Sequence, residues 1–313
     1  MDYLVYSTAA YEYYSHMLCR SDHFSAGHLK RVTFPDGERY QRLTSSVRGK
    51  DVVLVGGTVS DSDTLELFDL ACGISYYGAN SLTLVVPYYG YSTMERADKQ
   101  GDIVTGKTRA LLLAAIPEAR SYNEIVLVDL HTEGTTHYFE GHLRSFHIHS
   151  KSVVSSIVGG LEDAGQVVLA STDAGRAKWV EAMANQMGVP AAFVYKRRLS
   201  GELTEIAGIN ADVNNRHVVI YDDMIRTGGS LIKAGQAYKD AGAARLTVIT
   251  THGVLPGDAL KRIQDSGIFH KVYVTDTHPR VLALAPHFVG FLEIRSMVGV
   301  IEDFLVRKEK DPL

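Results

Sequence analysis

The sequence predicts an α/β protein made of two tandem copies of one domain, each built on a parallel sheet. Three observations lead there. Short β-branched or apolar runs recur at 3–6, 52–55, 82–86, 125–130, 167–170, 218–221 and 246–250, each followed by a small-residue or acidic loop and a segment of helical period. Fully apolar runs that alternate with helices are the pattern of parallel strands buried on both faces. The chain also repeats itself. LVYSTAA at 4–10 aligns with VLASTDA at 168–174 at an offset of 164, and VVLVGGT from Val52 aligns with VVIYDDM from Val218 at an offset of 166. Between these anchors Leu29-Lys30-Arg31 falls opposite Tyr195-Lys196-Arg197, again 166 apart. Finally, a length of 313 residues fits two domains at roughly 100–200 residues each.

Taken in order, the runs become strands and the intervening segments helices. The helix over 230–241 is the best defined: Leu231, Ala234, Tyr238 and Ala241 repeat at three- and four-residue spacing, and Gly242 stops it. The boundary is expected near 146–160, where the stretch SKSVVSSIVGG is small and polar. The expected units are 1–148, 149–295 and a C-terminal helix at 296–313 that packs against the first domain.

Composition narrows the class. Hydrophobic residues make up 45% and charged residues 22%, the proportions of a globular protein. With 32 Lys and Arg against 36 Asp and Glu the net charge is −4, so neither a nucleic-acid footprint nor a polybasic membrane anchor is expected. Cys19 and Cys72 are too few for a disulfide framework or a cysteine zinc site. MDYLVYSTAAYEYY is no signal peptide, and no apolar run reaches the ~18 residues of a membrane span. A cytoplasmic protein is expected.

The repeat also shows where chemistry belongs. Asp173 in the second copy stands opposite Ala9, and Asp222-Asp223 stand opposite Gly56-Gly57, so carboxylate chemistry falls to the second copy. The strongest signal is VVIYDDMIRTGGSL at 218–231. A buried strand delivers two carboxylates at its C-terminal end, the ligand edge of a parallel sheet. Thr227, Gly228, Gly229 and Ser230 then open a helix whose free N–H groups and dipole favour an anion. The acids suit sugar hydroxyls and the turn suits a phosphate, which together describe a ribose-phosphate pocket. Alone, the turn reads equally as a helix cap.

This segment resembles the phosphoribosyl-diphosphate loop of type I phosphoribosyltransferases and of ribose-phosphate diphosphokinases. The two-copy layout resembles the diphosphokinase family, as do FPDGE at 34–38, PYYGY at 87–91, DLHT at 129–132, TDAG at 172–175, KRR at 196–198 and THG at 251–253. ER-x-x-x-x-GD-x-x-T at 95–105 and TDT-x-P at 275–279 are most similar to the class II, plant-type members.

The resemblance implies a fold of two phosphoribosyltransferase-like domains and a reaction that serves nucleotide biosynthesis. The anomeric hydroxyl of ribose 5-phosphate attacks the β-phosphorus of ATP, the diphosphoryl group moves and AMP leaves. It implies catalytic roles for Lys196 and Arg198, in a basic triplet expected on a loop after the apolar run 191–195. Ribose 5-phosphate would be held by Asp222, Asp223, Arg226, Thr227, Gly228, Gly229 and Ser230. Phe34, Asp36 and Glu38 would reach ATP from a neighbouring subunit, making the protein a homo-oligomer built from dimers. Arg96 stands near the place of a phosphate-facing arginine. Arg226, where most members carry an acid or a small polar residue, either holds the sugar phosphate or faces solvent. Mg²⁺ is the implied cofactor, with His131 and Asp173 as its ligands, while Asp129 orients its loop. His142, His147 and His149 read as alternation along a strand in preference to a zinc site. Two other readings stand beside this one. A type I phosphoribosyltransferase would leave the duplicated domain, FPDGE and KRR unexplained, and a non-catalytic homologue would have lost the catalytic positions that this chain keeps.

Overall fold

A computed structural model describes residues 2–200 and 203–310, leaving aside the side chains of 196–200, 203–207 and 308–310. The chain divides into two compact units, 1–149 with 298–313, and 150–297.

In the first unit the strands are β1 (Tyr3–Ser7), β2 (Phe24–Ala26), β3 (Leu29–Thr33), β4 (Arg39–Leu43), β5 (Asp51–Val55), β6 (Ser81–Val86), β7 (Tyr122–Val128) and β8 (Leu143–Ile148). Six of them form a parallel sheet in the order β2-β1-β5-β6-β7-β8, and β3 and β4 make a separate antiparallel hairpin. Helices α1 (Glu12–Leu18), α2 (Asp61–Tyr76) and α3 (Thr105–Ala114) connect them. Ser60 starts α2 by accepting the N–H of Asp63 at 3.1 Å while donating to its carboxylate at 2.6 Å.

The second unit contains α4 (Lys151–Gly159), β9 (Val167–Ser171), α5 (Ala177–Met187), β10 (Ala191–Ser200), β11 (Leu203–Ile209), β12 (His217–Ile225), α6 (Gly229–Asp240), β13 (Arg245–Gly253), α7 (Ala259–Asp265), β14 (Lys271–Thr275), α8 (Arg280–Leu284) and β15 (Leu292–Arg295). Its sheet order, β11-β10-β9-β12-β13-β14-β15, repeats the first with one strand added at the edge. The repeat extends to register: Leu4 pairs with Val52 in the first sheet, and their counterparts Val168 and Val218 pair in the second. Alternate residues of β9 and β12 serve two cores. Val168, Ala170, Val218 and Ile220 pack on one face and Val167, Leu169, Val219 and Tyr221 on the other. Burial on both faces is why these strands read as unbroken apolar runs. The final helix, α9 (Val298–Lys310), packs Phe304 against Phe146 of β8, with ring centroids 5.4 Å apart and the rings tilted by 58°.

Two sequence expectations are corrected and one is refined. The division between the units falls at 149/150, within the expected 146–160 region, but the stretch that follows is helical. From Lys151 it is α4, because Val154, Ile157 and Val158 recur at helical spacing and are buried against β9 and α5. The run at 125–130 ends as a strand at Val128, since Asp129 turns into a left-handed conformation at φ 35°. The KRR triplet is not a loop. Ala191–Phe193 pair in parallel with β9, and the same strand then runs out of the sheet to pair antiparallel with β11, Lys196 opposite Ile206 and Arg198 opposite Thr204. A hairpin beyond the core needs no apolar face, so its strand carries no hydrophobic alternation to read.

The first copy has also filled in its own ligand edge. A Cβ on Gly57 would lie 2.1 Å from the Tyr11 hydroxyl, and one on Gly56 would lie 2.6 Å from the Thr8 methyl. Tyr11 and Thr8 are fully buried, so neither can step aside. Carboxylates like those of the second copy have no room here. Gly57→Ala is expected to destabilise the protein by about 1–3 kcal/mol through overpacking, measured by urea unfolding, and Tyr11→Phe in the same chain should recover part of the loss.

Candidate functional site

The acid pair lies in the last part of β12, and its two members are held differently. Asp223 is 2% exposed and paired in a two-pronged bridge with Arg176, Nε to Oδ1 at 3.0 Å and Nη2 to Oδ2 at 2.6 Å. Burial alone would lower the charge on the Arg176 guanidinium, yet its pKa is raised by the facing Asp223 carboxylate, with smaller contributions from Tyr221 and Asp222. Asp222 is only partly buried and accepts a hydrogen bond from Thr172 Oγ1 at 3.0 Å. Burial, and then the negative charge of Asp223, push its carboxyl up to about 7. Arg176 and Thr172 were not singled out from the sequence. The signal was present in TDAGR, where a cation follows a strand-end acid within one loop.

Beyond the pair the chain turns into α6. Gly228 takes φ 78°, and a Cβ there would lie 2.8 Å from the buried Ile263, so only glycine satisfies both conformation and space. No side chain caps α6, which leaves the N–H groups of its first turn turned toward the strand end. Arg262 of α7 donates to the Thr227 carbonyl at 3.1 Å, while Arg226, Thr227, Gly229 and Ser230 are exposed. Asp173 closes a neighbouring strand-end loop by accepting the Gly175 N–H at 2.9 Å. Asp173, Asp222, Asp223 and the 226–230 turn thus share the C-terminal edge of one sheet.

THG and TDT support this edge from below. Thr275 and Thr277 both donate to the Thr251 carbonyl, at 2.6 and 2.8 Å, and His252 Nδ1 contacts Thr277 Oγ1 at 2.9 Å. Asp276 accepts the Met297 N–H at 2.9 Å. All are buried. Next to them, burial, His252 and Arg280 depress His278 to about 4.

The remaining predicted residues belong to the first unit, except for two. FPDGE is the turn of the β3–β4 hairpin: Phe34 N–H donates to Glu38 O at 2.8 Å, Glu38 N–H donates to the Asp36 carboxylate at 3.0 Å, and Gly37 sits at φ 92°. Phe34 is 45% exposed on this tip. The hairpin is fastened to its unit by Glu66 of α2, 4% exposed, which receives Arg31 Nε at 3.0 Å, Gln41 Nε2 at 3.1 Å and the Ala9 N–H at 3.1 Å. Arg96 is exposed and bonded to Asp98 at 3.0 Å. His131 is exposed in the loop after β7. The two exceptions are Lys196 and Arg198, whose backbone lies in β10 and whose side chains lie outside the described residues.

Among the described residues, one group of three could present metal ligands: Asp129, His147 and His149, one ligand atom each within 4.8 Å. His142 is not part of it and contacts Ile116 O at 2.9 Å.

Comparison with known proteins decides the family. The family model for the N-terminal domain of ribose phosphate pyrophosphokinase matches residues 3–116, and that for the phosphoribosyl synthetase-associated domain matches 165–300. The ribose-phosphate pyrophosphokinase of Chlorobaculum tepidum is 33% identical over 249 residues, covering 79% of this chain and 75% of that protein. The chain belongs to the ribose-phosphate pyrophosphokinase family. The members from Thermotoga maritima, 31% identical over 85% of the chain and 83% of the relative, and from Clostridium perfringens, 35% over 75% and 73%, agree. A crystal structure of the phosphoribosylpyrophosphate synthetase from Mycobacterium smegmatis superposes with a TM-score of 0.84 over 99% of both chains at 23% identity, so the pyrophosphokinase fold extends over the whole chain.

Because Asp222 binds a proton in the folded state well above the ordinary aspartate value of 3.8, the folded protein holds more protons than the unfolded chain between pH 4 and 7. Stability contributed at this position therefore falls as pH rises through that window. Asp222→Asn is expected to be more stable than the parent at pH 8 by about 1–3 kcal/mol, discounted for partial exposure, and nearly equal at pH 4.5. Thermal melts at the two pH values measure it, and an equal difference at both would exclude the coupling.

Proposed function

We propose that the chain is a ribose-phosphate pyrophosphokinase that transfers the β,γ-diphosphoryl group of ATP to the anomeric hydroxyl of ribose 5-phosphate, releasing AMP. What carries this reading is the asymmetry of the two copies. Only the second keeps the acid pair and the open glycine turn at a helix N-terminus, while the first has closed the same edge with Tyr11 and Thr8. A single-domain phosphoribosyltransferase would not account for a full second sheet with matching register.

Each residue then has a chemical task. Asp222, the less buried acid, accepts ribose hydroxyls, and Asp223 with Arg176 fixes the strand end behind it. The 5-phosphate sits on the N–H groups of Thr227, Gly228, Gly229 and Ser230, with Arg226 adding a cation. Lys196 and Arg198 stabilise the charge that develops on the transferring group. Phe34, Asp36 and Glu38 contact ATP from the tip of the β3–β4 hairpin, and Arg96 can meet phosphate once it exchanges Asp98 for it. His131 and Asp173 are each assigned as a ligand of Mg²⁺. Asp173 fits a hard cation that keeps most of its waters, since it has a second carboxylate oxygen beyond the one that accepts Gly175, while the His131 imidazole is an unusual partner for such an ion. When bound, the ion neutralises phosphate oxygens during transfer.

The plant-type subclass is supported by the 95–105 and 275–279 patterns, although both also have local structural work. Asp102 accepts the N–H groups of Asp98 and Lys99 at 3.1 and 2.8 Å, and TDT belongs to the buried network under the sheet edge.

With Mg²⁺, ATP and ribose 5-phosphate, purified protein should form AMP and phosphoribosyl diphosphate. Lys196→Ala should lower turnover by about 10²–10³, and a parent rate no higher than this variant would refute the assignment. Consumption of added phosphoribosyl diphosphate with a nucleobase would instead identify a transferase. The exposed Phe34 tip further predicts an active site completed by a second subunit. Specific activity should fall on dilution in step with dissociation seen by mass photometry, and full activity of a monomer would rule that out.

A further inference from the structure

His147 lies in β8, and His149, two positions on, is the residue just after its last, Ile148. Their rings lie 4.3 Å apart. Both meet the loop that follows β7. Leu127 and Val128 pair with His147 and Ile148, and the Asp129 N–H donates to Ile148 O at 3.0 Å. There the backbone of Asp129 swings to φ 35°, a conformation a non-glycine residue keeps only where its surroundings enforce it. Two contacts do so. The Leu130 N–H donates to His147 Nε2 at 2.8 Å, and the Asp129 carboxylate meets His149 Nδ1 at 3.2 Å. Asp129 and Leu130 are 4% and 3% exposed, and the next residue, His131, is exposed.

We propose that His147 and His149 are positioning residues that clamp the 129–130 dipeptide and so aim His131 at the metal–ATP substrate. This rests on the reading of His131 as a metal ligand.

The same three side chains would otherwise be taken for a metal centre. Chemistry argues against it. His147 Nε2 already accepts a backbone N–H, so in the neutral ring the proton is on Nδ1, and neither nitrogen has a lone pair to give. A metal would be left with Asp129 and His149, fewer protein ligands than a structural or catalytic zinc site uses. An acceptor for the Leu130 N–H and a partner for a buried carboxylate are what the two imidazoles supply, and removing either costs a buried polar group one of its contacts.

The test uses the full-length enzyme and five variants. His147→Leu and His149→Leu remove the contacts. His147→Gln keeps an acceptor for the Leu130 N–H, and His149→Asn keeps a donor for Asp129. His131→Ala reports on the underlying reading. Steady-state rates give the Mg²⁺ concentration for half-maximal activity and the KM for each substrate, and hydrogen exchange follows the peptide spanning 128–132. The two Leu variants should raise the Mg²⁺ requirement and the KM for ATP about 10–100-fold, as loss of a partner behind a metal ligand does, with the ribose 5-phosphate KM within about twofold. They should also speed exchange in 128–132, and the Gln and Asn variants should restore both. Parallel loss of both substrates, failure of the Gln and Asn variants to restore, or Leu variants that behave as the parent beside an impaired His131→Ala would each overturn the clamp alone. An unaltered Mg²⁺ requirement in His131→Ala would overturn the metal-ligand reading and the clamp with it. One equivalent of transition metal in the purified parent, lost in the Leu variants, would replace the clamp by a metal centre.

Discussion

Two carboxylates side by side at the end of a buried strand repel each other, and the second unit is arranged around that constraint. Asp223 is neutralised by a two-pronged guanidinium, while Asp222 keeps a proton to about pH 7 and leans on the Thr172 hydroxyl. Each compensating group comes from the loop after β9, the strand beside β12. The loop that carries Asp173 therefore also carries the counter-charge, which couples two parts of the sheet edge through one short segment. The threonines of β13 and of the end of β14 complete the support with hydroxyls in place of charges.

The first unit shows what the same fold does without the acids. Glycines stand where Asp222 and Asp223 would, and the space is taken by Tyr11 and Thr8. The N–H of Ala9, the counterpart of Asp173, is satisfied by a buried carboxylate from α2. Glu66 gathers Arg31, Gln41 and that N–H, so in this copy the strand edge anchors a hairpin. Both units carry a hairpin after the strand at the edge of the parallel run. In one it ends in FPDGE and in the other its first strand carries Lys196 and Arg198.

Most of this architecture was legible in the residues. Apolar runs located the strands because burial on both faces favours apolar residues, and the 164–166 offsets revealed the duplication that the matching register of Leu4 with Val52 and Val168 with Val218 bears out. Legibility failed where no core face imposes a pattern. Lys196 and Arg198 sit on a strand that pairs outside the core. In α4 a core face does exist, but the serines between Val154, Ile157 and Val158 masked it. Arg176 was missed for a related reason: a lone arginine in a loop has no signature until the partner carboxylate is brought to it.

The sequence by itself determined the fold class, the duplication and the copy that holds the acids, because these follow from periodicity and from residue identity at repeated positions, and its motifs carried the family resemblance that comparison with known proteins decided. Only tertiary structure decided which acid is compensated by Arg176 and which stays protonated, that the first copy's edge is occupied, and that His147 and His149 grip the loop of His131. Those depend on distances of about 3 Å between residues far apart in the chain, and a hydrogen bond or charge pair at that range has no counterpart in local sequence.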